Sequence, residues 1–190
     1  MPRRSIVVAG AILVLAAIAA ALVYLFVDFT PSVPPQETAA IVGHSFPTVS
    51  AKDLKGTACR LPADFAGGPL IVLVTPSKQA QADADKWIAD LRGRRDVEFR
   101  ETPIITSKVA GLMQGFISGK MRDGLPEDMW PRVIPLFDGG ESLLAFFGDY
   151  GDALTWVAVL DAHGSVRWFA AEGYSAALAA GAVEKYVALQ

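Results

Sequence analysis

Few side chains in this sequence could act as nucleophiles or metal ligands. The chain of 190 residues has one cysteine, Cys59, and two histidines, His44 and His163. A thiolate is a nucleophile and a soft metal ligand, but a single thiol cannot form an internal disulfide, a Cys-x-x-Cys redox pair or a zinc–thiolate cluster. Cys59 lies in a predicted strand with no histidine nearby in sequence, so we expect a packed or surface residue. The sequence therefore predicts no metal site and no cofactor.

The charge balance excludes another class of function. The chain carries 17 lysine and arginine residues against 20 aspartate and glutamate residues, which gives a formal net charge of −3 at pH 7. Proteins that bind nucleic acid need an excess of basic side chains to neutralise phosphates. We therefore expect no nucleic-acid partner.

An uncharged segment near the N-terminus, residues 6–27, is almost entirely apolar. As a helix rising 1.5 Å per residue it would span roughly 33 Å, enough to cross a bilayer core of about 30 Å. Arg3 and Arg4 precede it, so the positive-inside rule places the N-terminus in the cytoplasm. The sequence predicts a signal anchor, a single transmembrane helix within residues 1–29. A signal peptide cleaved at residues 17–19 is the alternative, but the apolar run continues beyond that site.

The remainder divides into a linker and one domain. Residues 30–45 begin with a proline-rich stretch, which predicts a stiff, extended linker. Residues 46–190 contain predicted elements in the order hairpin, strand, helix, strand, helix, strand, strand, helix. Leu70–Val74 is an unbroken apolar run, typical of a strand buried on both faces. Strands that alternate with helices predict an α/β domain with a mixed sheet. After the hairpin, the predicted strands are 70–74, 97–105, 156–160 and 165–169, the helices are 79–92, 109–121, 142–147 and 175–189, and 132–137 is a short strand or extended segment.

Two sequence stretches relate this element order to a known fold. Leu-Pro-Ala-Asp-Phe-Ala-Gly at 61–67 precedes the buried strand, and Val-Leu-Asp-Ala-His-Gly-Ser-Val-Arg-Trp occupies 159–168. With them, residues 46–189 resemble the thioredoxin-like fold, which membrane-tethered thiol reductases and peroxiredoxins share. The resemblance implies a three-layer sandwich with a mixed central sheet, here preceded by one N-terminal transmembrane helix.

The resemblance also locates the position at which such proteins carry their catalytic sulfur. In the reductases a Cys-x-x-Cys follows the strand equivalent to 70–74, at the N-terminus of a helix whose dipole lowers the thiol pKa. Here the segment Thr75-Pro76-Ser77-Lys78-Gln79 stands in its place. A peroxiredoxin Thr-x-x-Cys would put its peroxidatic cysteine at Lys78, and the cis-proline of the fold would fall near Thr155. The positions expected to mark a vacant redox site are Thr75, Lys78, Gln79 and Thr155.

Two further motifs resemble a narrower family. Gly-Lys-Met-Arg-Asp-Gly-Leu-Pro-Glu at 119–127, followed by Val-Leu-Asp and Val-Arg-Trp-Phe-Ala-Ala-Glu-Gly within 159–173, looks like the mitochondrial ATP synthase assembly factor family. Its members are membrane-associated, lack the redox pair and assist subunit a of the F-type ATP synthase. A signal anchor in place of a transit peptide suggests a bacterial relative, anchored in the inner membrane with its domain in the periplasm. The motif residues implied to contact a partner are Met121, Arg122, Pro126, Arg167 and Trp168.

Several of these residues also have structural interpretations. Arg122 follows a predicted helix, where a cation stabilises the helix dipole, or it contacts a partner. Arg167 could pair with Glu101 or Asp161, or stack on Trp168. Apolar residues around the first motif form either core or an exposed surface that fits an apolar helix. They are Met113, Phe116, Ile117, Met121 and Met129-Trp130.

These expectations lead to one functional hypothesis and two alternatives. The hypothesis is a non-enzymatic, redox-inactive, membrane-anchored thioredoxin-like protein that binds a membrane protein client and assists assembly of its complex, with the F-type ATP synthase as the candidate. The first alternative is a thiol-disulfide reductase or peroxiredoxin-like enzyme that retains activity through Cys59. The second is a small-molecule binder in the cleft around residues 75–79.

Overall fold

The computed structural model of the protein describes residues 41–105, 110–147 and 150–190. The predicted anchor and most of the predicted linker lie outside these ranges. Within them, no helix combines the length and the apolar character needed to cross a membrane.

The described residues form six strands, four α-helices and three short 3₁₀ helices. The strands are β1 (Val49–Lys52), β2 (Ala58–Leu61), β3 (Leu70–Thr75), β4 (Phe99–Pro103), β5 (Trp156–Leu160) and β6 (Val166–Ala170). The α-helices are α1 (Gln81–Arg92), α2 (Gln114–Asp123), α3 (Gly140–Phe147) and α4 (Ala176–Val187). The 3₁₀ helices cover Ala63–Phe65, Ala110–Met113 and Glu127–Arg132.

Four of the strands form one sheet in the spatial order β4-β3-β5-β6. β3 and β4 are parallel and are connected through α1, whereas the β3–β5 and β5–β6 pairs are antiparallel. β1 and β2 form a separate antiparallel hairpin. The α/β class and the mixed sheet predicted from the sequence are therefore confirmed.

The sheet separates two apolar cores, because successive residues of β3 point to opposite faces. Val72 and Val74 face a core shared with the hairpin and α3. Ile71 and Leu73 face a second core shared with α1 and α4. All six residues of β3 are buried. Burial on both faces explains why this strand reads as an unbroken apolar run and gives the domain its three layers.

Two elements differ from the sequence-based expectation. In place of one helix over 109–121, the 3₁₀ helix Ala110–Met113 precedes α2. Gly111 and Gly115 lie at this junction, and glycine weakens a continuous α-helix. The segment 132–137 makes only two isolated bridges, to Glu101 of β4 and to Ile104 directly after it. Pro135 within it has no N–H to donate to a neighbouring strand.

Residues 41–45, at the end of the predicted linker 30–45, pack on the domain. Ile41 is buried in the core on the α3 side, and the Gly43 N–H donates to the Val166 carbonyl at 2.8 Å. The packed domain therefore begins earlier than its predicted start, because burial of this apolar side chain stabilises the ordered chain.

The aromatic residues on the α3 side of the sheet contact one another around Phe147. Its side chain is fully buried, and its ring centroid lies between 5.1 and 5.9 Å from those of Phe46, Phe146, Trp156 and Phe169. We predict that Phe147→Ala lowers the free energy of unfolding by about 3–5 kcal/mol, because it leaves a cavity in a packed core. Urea unfolding measures the loss.

Phe116→Ala is the matched control for this prediction. Phe116 lies on α2 and is 61% exposed, so its removal should change the free energy of unfolding by no more than about 0.5 kcal/mol. Similar losses for the two variants would contradict the packing described.

Candidate functional site

The corner expected to correspond to the redox site lies where the end of β3, the start of α1 and the residue before β5 meet. β3 and β5 are antiparallel neighbours in which Val74 pairs with Trp156. Thr75 and Thr155 therefore lie at the same end of the sheet. The Thr155 hydroxyl donates to the Ala80 carbonyl at 3.3 Å, directly before α1. The structure thus brings Thr75, Thr155 and the start of α1 together at this corner.

The segment between β3 and α1 is held by hydrogen bonds of its own. The Ser77 hydroxyl donates to the Asp152 carbonyl at 2.5 Å and accepts from the Gln79 N–H at 3.0 Å. Lys78 and Gln79 are exposed. Residues 75–79 include no cysteine, so this segment offers no thiol for disulfide exchange or peroxide reduction.

The one thiol of the sequence, Cys59, lies on β2, outside the four-stranded sheet. Its sulfur is half-buried and lies 3.4 Å from the Thr57 carbonyl oxygen. Burial raises the pKa of the Cys59 thiol, and the nearby charge of Asp53 raises it further. Because the thiolate is the reactive form, a raised pKa makes Cys59 a weaker nucleophile at neutral pH. Cys59 packs against the core on the α3 side, which is one of the two environments expected from the sequence.

A buried carboxyl group that sequence reasoning did not assign to the site lies beneath this corner. Glu101 pairs with Leu73 in the parallel β3–β4 register and is 2% exposed. Its Oε1 accepts hydrogen bonds from the Thr75 hydroxyl at 3.2 Å and from Gln81 Nε2 at 3.3 Å. Burial, which penalises the charged form, raises the pKa of Glu101 to about 7 despite these two bonds. The corner therefore contains a group that can exchange a proton near neutral pH.

A second missed carboxylate, Asp83, fixes the position of the corner. It lies in the first turn of α1, where a negative charge stabilises the helix dipole. Its two oxygens accept from the Thr155 N–H at 3.1 Å and the Tyr174 N–H at 2.7 Å. Gly173 has a φ of 82°, and a Cβ there would lie 3.3 Å from Asp83 Oδ1. A side chain at Gly173 would therefore be strained by the positive φ and would crowd this contact.

Three of the predicted partner-binding residues lie at the end of α2 and in the loop that follows. The Arg122 guanidinium donates to the Leu54 carbonyl at 3.2 Å and lies 6.0 Å from the Trp130 ring centroid. Met121 packs against the core on the α1 side, and Pro126 is exposed. Arg122 therefore connects α2 to the β1–β2 hairpin, a role that neither sequence interpretation included.

The other two predicted partner-binding residues lie on β6, at the opposite edge of the sheet. Arg167 is exposed and pairs with Asp161 at 2.6 Å, and not with Glu101. Trp168 is half-buried against the core that contains α4. The Arg122 group lies beyond β4, and β3 and β5 separate β4 from β6. The five residues therefore do not form one site.

Apolar side chains of the 3₁₀ helix Ala110–Met113 and of α2 extend into solvent. Leu112 is 90% exposed, Phe116 61% and Met113 36%. Neighbouring exposed apolar side chains of this kind mark interaction surfaces. The apolar cluster expected from the sequence around the 119–127 motif is therefore partly exposed and partly core, since Met129 is buried. We call Leu112, Met113 and Phe116 the α2 apolar surface.

The buried carboxyl of Glu101 generates a prediction about pH. Its pKa is raised from 4.5 to about 7 in the folded protein, so unfolding releases its proton between these values. Glu101 therefore makes the protein less stable as pH rises from about 4.5 to 7, by about 3 kcal/mol in total. Glu101→Gln keeps an oxygen for both hydrogen bonds and removes the ionisation.

We expect the free energy of unfolding of Glu101→Gln, relative to that of the unmodified protein, to increase by about 3 kcal/mol between pH 4 and pH 8. Urea unfolding at several pH values, compared between the two proteins, measures the difference. Parallel curves across this range would contradict a buried carboxyl that titrates near neutral pH.

Comparisons with known proteins support the fold and nothing finer. The sequence matches no protein-family model and no curated protein. The structure is similar to a candidate thiol:disulfide interchange protein DsbE from Chlorobium tepidum, with a TM-score of 0.52 and 14% identity over 78% of this chain and 96% of that one. It is similar to the thioredoxin domain of a thiol-disulfide oxidoreductase from Bacteroides vulgatus, with a TM-score of 0.52 and 18% identity over 77% of this chain and 97% of that one. It is also similar to BsSco, a member of the Sco family of cytochrome c oxidase assembly proteins. That match has a TM-score of 0.50 and 10% identity over 76% of this chain and 95% of that one. The chain therefore has the thioredoxin-like fold.

Proposed function

We propose that this protein is a redox-inactive, membrane-anchored thioredoxin-like protein that binds a membrane protein client and assists assembly of its complex. The observation that carries the proposal is the corner at Thr75 and Thr155. Hydrogen bonds hold this corner, and the segment 75–79 that follows β3 contains no cysteine. Cys59 lies elsewhere and has a raised pKa. Thioredoxin-like catalysis needs a thiolate at its reaction centre, so the lack of a cysteine at this corner supports binding over catalysis.

The α2 apolar surface supplies a contact that fits such a client. Phe116 and Met113 present flexible or polarisable apolar groups next to solvent, and methionine adapts to varied apolar partners. A transmembrane helix that has not yet found its partners exposes a similar apolar surface. The segment 6–27, acting as an anchor, would keep the domain beside helices of this kind.

We propose the F-type ATP synthase as the complex and its subunit a as the client. The support is the resemblance of residues 119–127 and 159–173 to the mitochondrial ATP synthase assembly factor family. The Sco-family neighbour is described as an assembly protein of another membrane complex. That neighbour supports the proposal only by analogy of fold. On this proposal the anchor lies in a bacterial inner membrane and the domain faces the periplasm.

A thiol-dependent enzyme is the less favoured function. It would depend on Cys59, which lies on the hairpin and is held largely as the thiol by burial and by the Asp53 carboxylate. Catalytic cysteines are found instead beside positive charges or helix N-termini that lower their pKa.

In-cell photo-crosslinking tests the proposed client. A photoreactive amino acid at Phe116 in the full chain is expected to crosslink to subunit a, identified by mass spectrometry, because this side chain is exposed on the α2 apolar surface. The control is the same amino acid at Val187, which is 57% exposed at the end of α4. Equal yields at both positions, or no subunit a at Phe116, would contradict the proposal.

A further inference from the structure

A groove lies between β1, α2 and residues 135–138, and it shares no residue with the corner at Thr75 and Thr155. Its volume is about 430 Å³, within the usual range for binding sites. Ser50 and Lys52 of β1 form one wall, and Gln114, Ser118 and Arg122 of α2 form another. Ala51, Gly115 and Ser118 in the same lining are small, so a second chain can approach the backbone closely between the longer side chains.

The register of the hairpin shows which backbone groups of β1 border this groove. The Asp53 N–H donates to the Thr57 carbonyl at 2.9 Å, and in an antiparallel pair such hydrogen-bonded positions alternate with positions that point away. By this alternation Val49 and Ala51 also bond to β2. The N–H and C=O groups of Ser50 and Lys52 therefore point away from β2.

A hydrogen bond of the opposite strand supports this assignment independently. Arg60 pairs with Ser50, but its N–H donates to Asp64 Oδ2 at 2.8 Å, away from β1. Among the described residues, no strand pairs with the outer edge of β1. This edge therefore presents two donor–acceptor pairs, spaced about 6.8 Å apart as in any extended strand.

The wall opposite β1, formed by residues 135–138, has few backbone groups that could bond to a second chain. The N–H groups of Ile134 and Leu136 donate to Glu101 and Pro103 of β4. Pro135, which lines the groove between them, has no N–H. A chain entering the groove thus finds its backbone partners on β1.

We propose that this groove binds an extended segment of the client polypeptide, which adds a strand to the free edge of β1. An extended backbone has N–H and C=O groups at the same repeat as this edge, which makes it the matching ligand. Main-chain pairing demands little of the client's sequence. The inference rests on the proposed function, because it specifies how the client is held.

Proline substitutions on the two outer edges of the hairpin test the inference. Lys52→Pro and Ser50→Pro each remove one N–H that faces the groove, and the latter leaves the charge unchanged. Ala58→Pro is the matched control, because Ala58 pairs directly with Lys52 and its N–H points to the other edge of the hairpin. Circular dichroism and urea unfolding establish that each variant folds.

The probe is a set of overlapping synthetic peptides covering subunit a. A peptide of residues 28–42 of this chain is tested separately in the same assay. We expect a subunit a peptide to bind the full chain, and to bind about tenfold more weakly to both groove variants but equally well to Ala58→Pro. Hydrogen exchange on the unmodified chain adds a test that needs no variant. The peptide should slow exchange at the Ser50 and Lys52 amides.

Five outcomes would overturn the inference. Equal weakening by all three proline variants, or unchanged exchange at Ser50 and Lys52, would show that β1 does not pair with the peptide. Binding of the 28–42 peptide alone would make the chain's own linker the occupant. A dimer that the groove variants dissociate would make a second copy the occupant. Crosslinking of subunit a at Phe116 without any peptide binding would overturn this inference and leave the proposed function standing.

Discussion

The burial of β3 on both faces is the constraint on which the rest of the domain depends. All six of its residues are buried, with β4 on one side, β5 on the other and an apolar core on each face. Hydrogen bonds to β4 and β5 on its two edges and close packing on both faces hold this strand in one register. It therefore fixes where Thr75 ends the strand, where α1 begins and where Thr155 meets them.

The corner at the end of β3 is ordered by hydrogen bonds that involve no cysteine. Asp83 connects α1 to the residues before β5 and before α4. Ser77 connects the segment between β3 and α1 to Asp152. Glu101 beneath it is largely uncharged below neutral pH because burial disfavours the carboxylate. The corner is therefore ordered without a thiol, and the proposed function assigns the role of the domain to its contacts with other chains.

The sequence predicted those features that depend on neighbouring residues. The apolar run of β3 and the helical spacing of α1 and α4 are local patterns, so strands, helices and fold class followed from them. Contacts between residues distant in sequence could not be predicted. Arg122 bonds to Leu54 across 68 positions, and Asp83 bonds to Tyr174 across 91. The division of the five partner-binding candidates between opposite sheet edges, and the outward edge of β1, likewise depend on topology and register, which no local pattern specifies.

The central claim is that this protein acts by binding, without thiol chemistry. The most direct test is the amount of assembled ATP synthase in the native host, measured by native gel electrophoresis after the chain is deleted and then restored. The account predicts that deletion lowers this amount and that a chain carrying Cys59→Ser restores it as fully as the unmodified chain does. An amount unaffected by deletion, or a Cys59→Ser chain that is present at the normal level and fails to restore assembly, would contradict the account.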